Sequence, residues 1–293
     1  MNLLITGASG FLGSALALHF LEDGHRVALL LRPESRLDRL HGKEAAFEVG
    51  RCESDDEIDA FISHIEPETI IHTACAYGRQ GESFLSIHDT NLRFGLVILQ
   101  AVLHSKRPVT FINTGTVLEE NVSSYALTKH QFAQWGRFLA SQPINQLRFV
   151  NVLLQHMYGP SDHPSKFSTH VLNICQRNEP ILKLTAGEQK RDFIYIDDVV
   201  SAYSTLIRQC TSLSDIVDIE LGSGVAPTIR EFVETIHKLT SSRTKLQFGA
   251  LPYRPNEPMH LQADISHIKA LGWQPKFNLE LGIKRTLELE FKK

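Results

Sequence analysis

The chain has 293 residues, long enough for one large α/β unit or two lobes, each around a sizeable core. Hydrophobic residues make up 42% and charged residues 22%, and the formal net charge of −3 offers no basic footprint for nucleic acid or an anionic membrane. No apolar run reaches bilayer-spanning length, and MNLLITGASG opens without a basic leader, so a cytoplasmic protein is expected. Cys52, Cys75, Cys175 and Cys210 form no C-x-x-C pair and are expected as reduced thiols. The histidines include no H-E-x-x-H and do not cluster with other ligand types, so no metal site is expected.

In chain order, a first strand is expected at Asn2–Thr6, a helix at about 11–22, a second strand at Arg26–Leu31 and a weaker third near 46–49. DDEIDAFISHI reads as a helix before a fourth strand at Thr69–His72. A long apolar-faced helix at about 89–104 leads to a fifth strand at 109–113, a helix carrying Tyr125 and a sixth strand at 144–150. Short apolar strands alternating with amphipathic helices predict an α/β, Rossmann-type doubly wound parallel sheet, covered on both faces. Beyond residue 150 the rhythm changes. YGPSDHPSK is turn-rich, a helix is expected at 166–177, and a strand at 191–196 leads into a helix from Asp197. Thr228 and Glu231 read as a capping box opening a helix that ends near 239. A strand at 244–248, a short helix at 264–271 and a final helix from Asn278 complete a smaller mixed α/β lobe.

Between the first strand and first helix, TGASGFLG sets Gly7, Gly10 and Gly13 as G-x-x-G-x-x-G. There the chain must turn sharply, bring N–H groups to a pyrophosphate and pack a helix closely on the sheet, and each demand excludes a side chain. Its place after an N-terminal strand separates it from a plain glycine turn. Residues 1–150, with about 190–210, are therefore expected as a dinucleotide-binding Rossmann domain, and 151–189 with 211–293 as the substrate lobe. The second strand ends in Leu31-Arg32, with no acid to receive a ribose 2′-hydroxyl. Arg32, with Arg36 near, suits a 2′-phosphate, so NADP(H) is favoured over NAD(H).

Tyr125 and Lys129 form a Tyr-x-x-x-Lys pair, of which composition alone would produce about 0.3. Position carries more weight than spacing, because the pair opens the helix after the fifth strand. Residues four apart share a helix face, and a cation near a helix N-terminus stabilises phenolate and lowers a phenol pKa from about 10. Tyr125 can then donate a proton to a carbonyl oxygen. Thr114, at the carboxyl end of the fifth strand where α/β sheets place ligands, can hydrogen-bond the same oxygen.

The glycine spacing and the placement of Tyr125 and Lys129 resemble the extended branch of the short-chain dehydrogenase/reductases, the NAD-dependent epimerase/dehydratase superfamily. That resemblance implies that Ser9, Phe11 and Leu12, with the three glycines, and Thr73 and Ala74 border the cofactor. It also implies that Lys129 holds the nicotinamide ribose. Dehydratases of the branch follow the hydroxyl residue with Asp and Glu. Here Gly115 and Thr116 stand there, and neither is a useful acid or base, so elimination of water is not expected. No Cys lies near Thr114 for a fucose-type epimerisation. A reductase or a 4-epimerase remains.

HTACAYGRQGESFLSIHDTN, TAGEQKRDFIYIDDVVSAY and QFGALPYRPNEPMHLQADISHIKALGWQPKFN look closely like the CDP-abequose and CDP-paratose synthase families. The resemblance implies NADPH-dependent reduction of the 4-keto group of a CDP-linked 4-dehydro-3,6-dideoxyhexose, in lipopolysaccharide O-antigen biosynthesis. By the same resemblance Arg191 and Arg254 would hold the nucleotide diphosphate, Asn151 would lie on the substrate side, and two copies would pair through helix 89–104 and the Tyr125 helix. A nucleotide-sugar 4-epimerase, a reductase of a dTDP-, UDP- or GDP-linked ketosugar, and a non-catalytic NADP-binding regulator stay open as alternatives.

Overall fold

The computed structural model describes residues 1–78, 81–144, 146–254 and 257–291, and the chain divides into two compact units. Unit 1 comprises Met1–Leu153 and Tyr203–Ile219; unit 2 comprises Leu154–Ala202 and Glu220–Lys293.

In chain order the first six strands are β1 (Asn2–Thr6), β2 (Arg26–Leu31), β3 (Glu48–Arg51), β4 (Thr69–His72), β5 (Val109–Thr114) and β6 (Leu147–Leu154). Between them run α1 (Phe11–Glu22), α2 (Asp55–Ile65), α3 (Phe84–His88), α4 (Phe94–Ser105) and α5 (Ser124–Ala140). Further on lie β7 (His156–Tyr158), α6 (Phe167–Arg177), β8 (Ile181–Lys183), β9 (Lys190–Arg191), β10 (Phe193–Tyr195), α7 (Ile196–Arg208) and β11 (Ile216–Leu221). Then come α8 (Ile229–Leu239), β12 (Lys245–Gln247), β13 (His260–Leu261), α9 (Ser266–Ala270) and α10 (Leu279–Phe291).

The main sheet runs β11-β6-β5-β4-β1-β2-β3, and its β1 to β6 pairings are parallel. The apolar runs NLLIT, RVALLL and TIIH suit this sheet because both its faces are covered. From β1 the chain builds one way to β2 and β3 and the other way to β4, β5 and β6. The switch therefore falls between β1 and β4, and the crevice beyond their carboxyl ends is where such sheets receive ligands. α2 starts in a Ser54–Glu57 capping box and turns Ile58, Ile62 and Ile65 into a core shared with Ile98, Leu99 and Val102 of α4.

Several elements differ from the sequence expectation. β3 begins two residues later than 46, and β6 covers Leu147–Leu154 rather than 144–150. The expected helix at 89–104 begins as α3 and passes through a π turn at Asp89–Arg93 before α4. β11, which adds a strand beside β6, has no counterpart in the expectation. The strand expected at 191–196 breaks at Asp192, whose buried carboxylate accepts the N–H groups of Ser223 (2.7 Å), Gly224 (3.0 Å) and Ala263 (3.2 Å). Those bonds knit unit 2 together. Its centre is Phe193 stacked on Phe232 at 3.8 Å, with Tyr158 and Tyr195 beside them.

The Thr228–Glu231 capping box forms as expected and opens α8, which buries Ile229, Phe232, Val233 and Ile236. Unit 1 takes back Tyr203–Ile219 rather than about 190–210, because α7 is divided. Its first turns belong to unit 2, where Asp198 accepts the N–H groups of Lys276 and Phe277 and Ser201 accepts from Trp273. Its later turns bury Tyr203 in unit 1. Among the described residues no helix is long and apolar enough to cross a membrane.

Candidate active site

The glycine loop lies at the switch point. Gly7 follows β1 with φ +71°, a conformation that favours glycine, and a Cβ there would stand 2.6 Å from Ala74 N and 2.7 Å from Thr73 Oγ1. Thr73 donates to Thr6 O at 2.7 Å, and Ala74 N–H donates to Thr6 Oγ1 at 3.3 Å, so the exits of β1 and β4 are tied side by side. α1 opens at Gly10 with no side-chain cap and no acid in its first turn. Its first N–H groups therefore face outward at the positive end of the helix, which suits a pyrophosphate. Ser9 and Phe11 are half-buried and Leu12 is buried. The residues present fit a dinucleotide.

Arg32 is exposed just beyond β2 and reaches Glu34 at 3.3 Å; Arg36 pairs with Asp38 at 2.8 Å. The loop carrying Arg32 is held by Arg51, whose Nη1 donates to Pro33 O (2.7 Å) and Ser35 O (2.8 Å). A basic residue at the end of β3 serves a structural need that its sequence position does not announce.

Ser123 caps α5 by accepting the Ala126 N–H at 3.2 Å, which sets Tyr125 in the first helical turn. Tyr125 is half-buried, and the ring of Tyr77 stacks on it with centroids 5.0 Å apart. One turn on, Lys129 is only 2% exposed. Burial pushes the pKa of its ammonium down, with neighbouring Cys75 pulling the other way. His72, fully buried at the end of β4, is held neutral first by burial and then by Lys129. It meets Thr6 Oγ1 through Nδ1 at 2.9 Å, so the same strand ends that shape the glycine loop border the lysine.

Thr114 ends β5 half-exposed, and its Oγ1 lies 2.7 Å from the hydroxyl of Tyr203, which α7 buries completely. Burial pushes the Tyr203 phenol well above its ordinary pKa. Nothing in the sequence marks this residue, since a tyrosine on the apolar side of an amphipathic helix reads as core. At Gly115 a Cβ would stand 2.6 Å from Asn151 Oδ1 and 3.2 Å from Val152 O. Thr116 is buried and accepts the Leu118 N–H at 3.2 Å.

Asn151, expected on the substrate side, is turned into the sheet instead. Its Oδ1 accepts from Asn113 at 2.8 Å and its Nδ2 donates to Asp218 at 2.9 Å, with Arg137 on the same carboxylate. Both ends of the amide are engaged inside the sheet and it is 1% exposed, which places Asn151 outside the candidate site.

A second buried amide does shape the site. Asn91, in the π turn, accepts the Ala76 N–H (2.7 Å), donates to Ala76 O (2.9 Å) and donates to Thr128 Oγ1 (3.1 Å). π turns recur at functional sites, and this one aims a single side chain at both the loop after β4 and α5.

In unit 2, Arg191 is 5% exposed, ion-paired with Glu257, and donates to Lys190 O at 2.8 Å. Burial lowers its pKa and Glu257 opposes the shift. Arg254 is exposed, three residues before Glu257. The pairing of Arg191 with an acid 66 positions away is invisible to a local reading of QKRDFIYIDD.

The family model described as NAD dependent epimerase/dehydratase family matches residues 3–222. CDP-abequose synthase of Salmonella typhimurium is 29% identical over 297 residues, covering 97% of this chain and 97% of its own. The crystal structure of UDP-glucose 4-epimerase with UDP-glucose from Thermotoga maritima superposes with a TM-score of 0.86 at 22% identity, covering 99% of this chain and 98% of that one. The Thermus thermophilus UDP-glucose 4-epimerase complex with NAD gives 0.84 at 20% identity, with 99% and 98% covered. At these identities the two structures are alike in fold.

Proposed function

The chain belongs to the NAD dependent epimerase/dehydratase family, and from that premise we propose that it is an NADPH-dependent reductase of a nucleotide-linked 4-keto-deoxysugar. The favoured substrate is a CDP-linked 4-dehydro-3,6-dideoxyhexose, as the name of the Salmonella relative suggests. The backbone from Gly7 to Gly13, with Thr73 and Ala74, would hold the dinucleotide, Arg32 its 2′-phosphate and Lys129 the nicotinamide ribose. When bound, the reduced nicotinamide supplies a hydride to the carbonyl carbon. Tyr125 delivers its phenolic proton to the carbonyl oxygen, and Lys129 stabilises the phenolate left behind. Thr114 hydrogen-bonds the same oxygen and lowers the cost of its developing charge. Arg191 and Arg254 take the diphosphate of the substrate, a role to which guanidinium forks are suited.

The observation that carries reduction over dehydration is the crowding at Gly115. An acid there would have to displace Asn151 from its two hydrogen bonds, and the hydroxyl at Thr116 is already engaged by the backbone. Neither position can supply the proton transfers of elimination. The exposed Arg32, on a loop braced by Arg51, supports NADP(H). Four unpaired cysteines support the cytoplasm. Leu127, Trp135 and Phe138 on α5, with Phe84 and Leu85 on α3, expose apolar surface that supports a homodimer through these helices.

The test follows NADPH absorbance with a panel of CDP-, dTDP-, UDP- and GDP-linked 4-keto sugars, and assigns C4 of the product by NMR. Consumption of NADPH with the CDP-linked ketosugar supports the reading. Tightly held NAD⁺ in the purified protein, with interconversion of C4 epimers and no net NADPH use, replaces it with a 4-epimerase.

A further inference from the structure

The rings of Tyr77 and Tyr125 lie 28° from parallel with centroids 5.0 Å apart, an offset stack. Tyr77 belongs neither to the glycine loop nor to the Tyr-x-x-x-Lys pair. It stands five residues beyond the end of β4, in a segment with no regular structure of its own. That segment is nevertheless pinned. The fully buried Asn91 grips both backbone groups of Ala76, the residue before Tyr77, and the same Nδ2 reaches Thr128, the residue before Lys129. One amide thus fixes the loop bearing Tyr77 against the turn of α5 bearing Tyr125 and Lys129.

Tyr125 lies half-buried in the first turn of its helix, with its ring against that of Tyr77. A general acid works only within hydrogen-bond reach of its acceptor, and a displacement of about 1 Å costs on the order of 100-fold in rate. A flat ring face against the phenol restricts it to the rotamer compatible with the stack; an aliphatic side chain of similar bulk imposes no such plane.

We infer that Tyr77 is a positioning residue, whose ring holds the Tyr125 phenol in the orientation that delivers its proton, with Asn91 setting the geometry of the stack. The consequence for rate rests on the reductase reading; the effect on the Tyr125 ring does not.

The test compares Tyr77→Phe, Tyr77→Leu and Tyr77→Met in the full chain. NMR of the cofactor-free protein, with the Tyr125 ring signals assigned from Tyr125→Phe, reports the ring orientation through NOEs from its protons to the backbone of α5, a readout that loss of the Tyr77 ring current does not by itself change. Steady-state NADPH consumption reports kcat and KM. Tyr77→Phe is expected to keep the Tyr125 NOE pattern and to hold kcat within about twofold, since the stack remains. Tyr77→Leu and Tyr77→Met are expected to average that pattern over several rotamers and to lower kcat at least about tenfold, with KM nearly unchanged. The inference is overturned if the Tyr125 NOE pattern is the same in the Leu, Met and Phe variants, or if the three share one kcat. Absence of turnover with every ketosugar, alongside an NOE pattern that changes for Leu and Met but not Phe, supports the positioning and overturns the reductase reading alone.

Discussion

Thr114 Oγ1 and the phenol oxygen of Tyr203 stand 2.7 Å apart, joining the end of β5 to the buried side of α7. Because burial keeps the phenol protonated, it can donate to Thr114 and leave the threonine proton for an incoming carbonyl oxygen. Tyr203→Phe removes that donor without opening a cavity. The hydrogen bond is worth about 1 kcal/mol, so kcat should fall about fivefold with KM little changed. In a Thr114→Ala background the same change should cost nothing more, which a double-mutant cycle would measure.

Gly115→Ala should destabilise the fold by about 1–3 kcal/mol, since its Cβ must push the hydrogen-bonded Asn151 aside. Gly115→Asp should be worse and should yield no dehydratase activity. Thermal melting and an assay for water elimination check both. An active dehydratase made by Gly115→Asp, with Thr116→Glu, would show the position to be open after all.

On the proposed mechanism Lys129 couples function to stability. Its folded pKa lies below its unfolded value, so between the two the unfolded chain binds more protons and stability rises with pH. At neutral pH the burial penalty is therefore present. Cofactor-free Lys129→Met should melt higher than the parent at pH 7, with the gap narrowing toward pH 10, while its reductase activity falls at least about 100-fold. Melting curves across this pH range give the sign.

The two arginines of unit 2 should separate cleanly. Arg254→Met removes an exposed charge, so nucleotide-sugar binding should weaken about tenfold or more, by the loss of a charge-assisted bond, at unchanged Tm. Arg191→Met should weaken binding and also lower Tm, because it strands Glu257. Breaking a buried pair costs about 3–5 kcal/mol, and the 21% exposure of Glu257 reduces that here. Calorimetric titration with CDP and thermal melting together distinguish the pair.

Arg32→Ala should raise KM for NADPH at least about tenfold and leave KM for NADH nearly unchanged, because a 2′-phosphate loses its partner and a 2′-hydroxyl does not. Equal effects on both cofactors would remove Arg32 from the 2′ end of the dinucleotide.

Much of unit 1 was legible because its signals are local. A run such as RVALLL is apolar whichever strand it pairs with, and the glycines of TGASGFLG are required by the turn they make. Tyr125 and Lys129 share a face because a helix repeats every 3.6 residues. β11 escaped notice because IVDIEL alternates weakly and sits at the sheet edge. The long helix was misread at its start because a π turn leaves no local trace in DTNLR. Asn151 was misassigned for another reason. An asparagine near a substrate-side motif and one that bridges Asn113 to Asp218 look alike until strand register brings β5 and β6 together.

The sequence by itself determined the parallel sheet, the glycine loop after β1 and the placing of Tyr125 and Lys129 one turn apart on α5, since each depends on backbone periods and contacts within a few residues. Only the tertiary structure decided that Tyr203 lies under Thr114 across 89 positions, that Glu257 covers Arg191 across 66, and that Tyr77 faces Tyr125. It also decided that a Cβ at residue 115 would crowd the hydrogen-bonded amide of Asn151. Such contacts follow from how whole elements pack and register against one another, and a side chain carries no local mark of the distant neighbour it will meet.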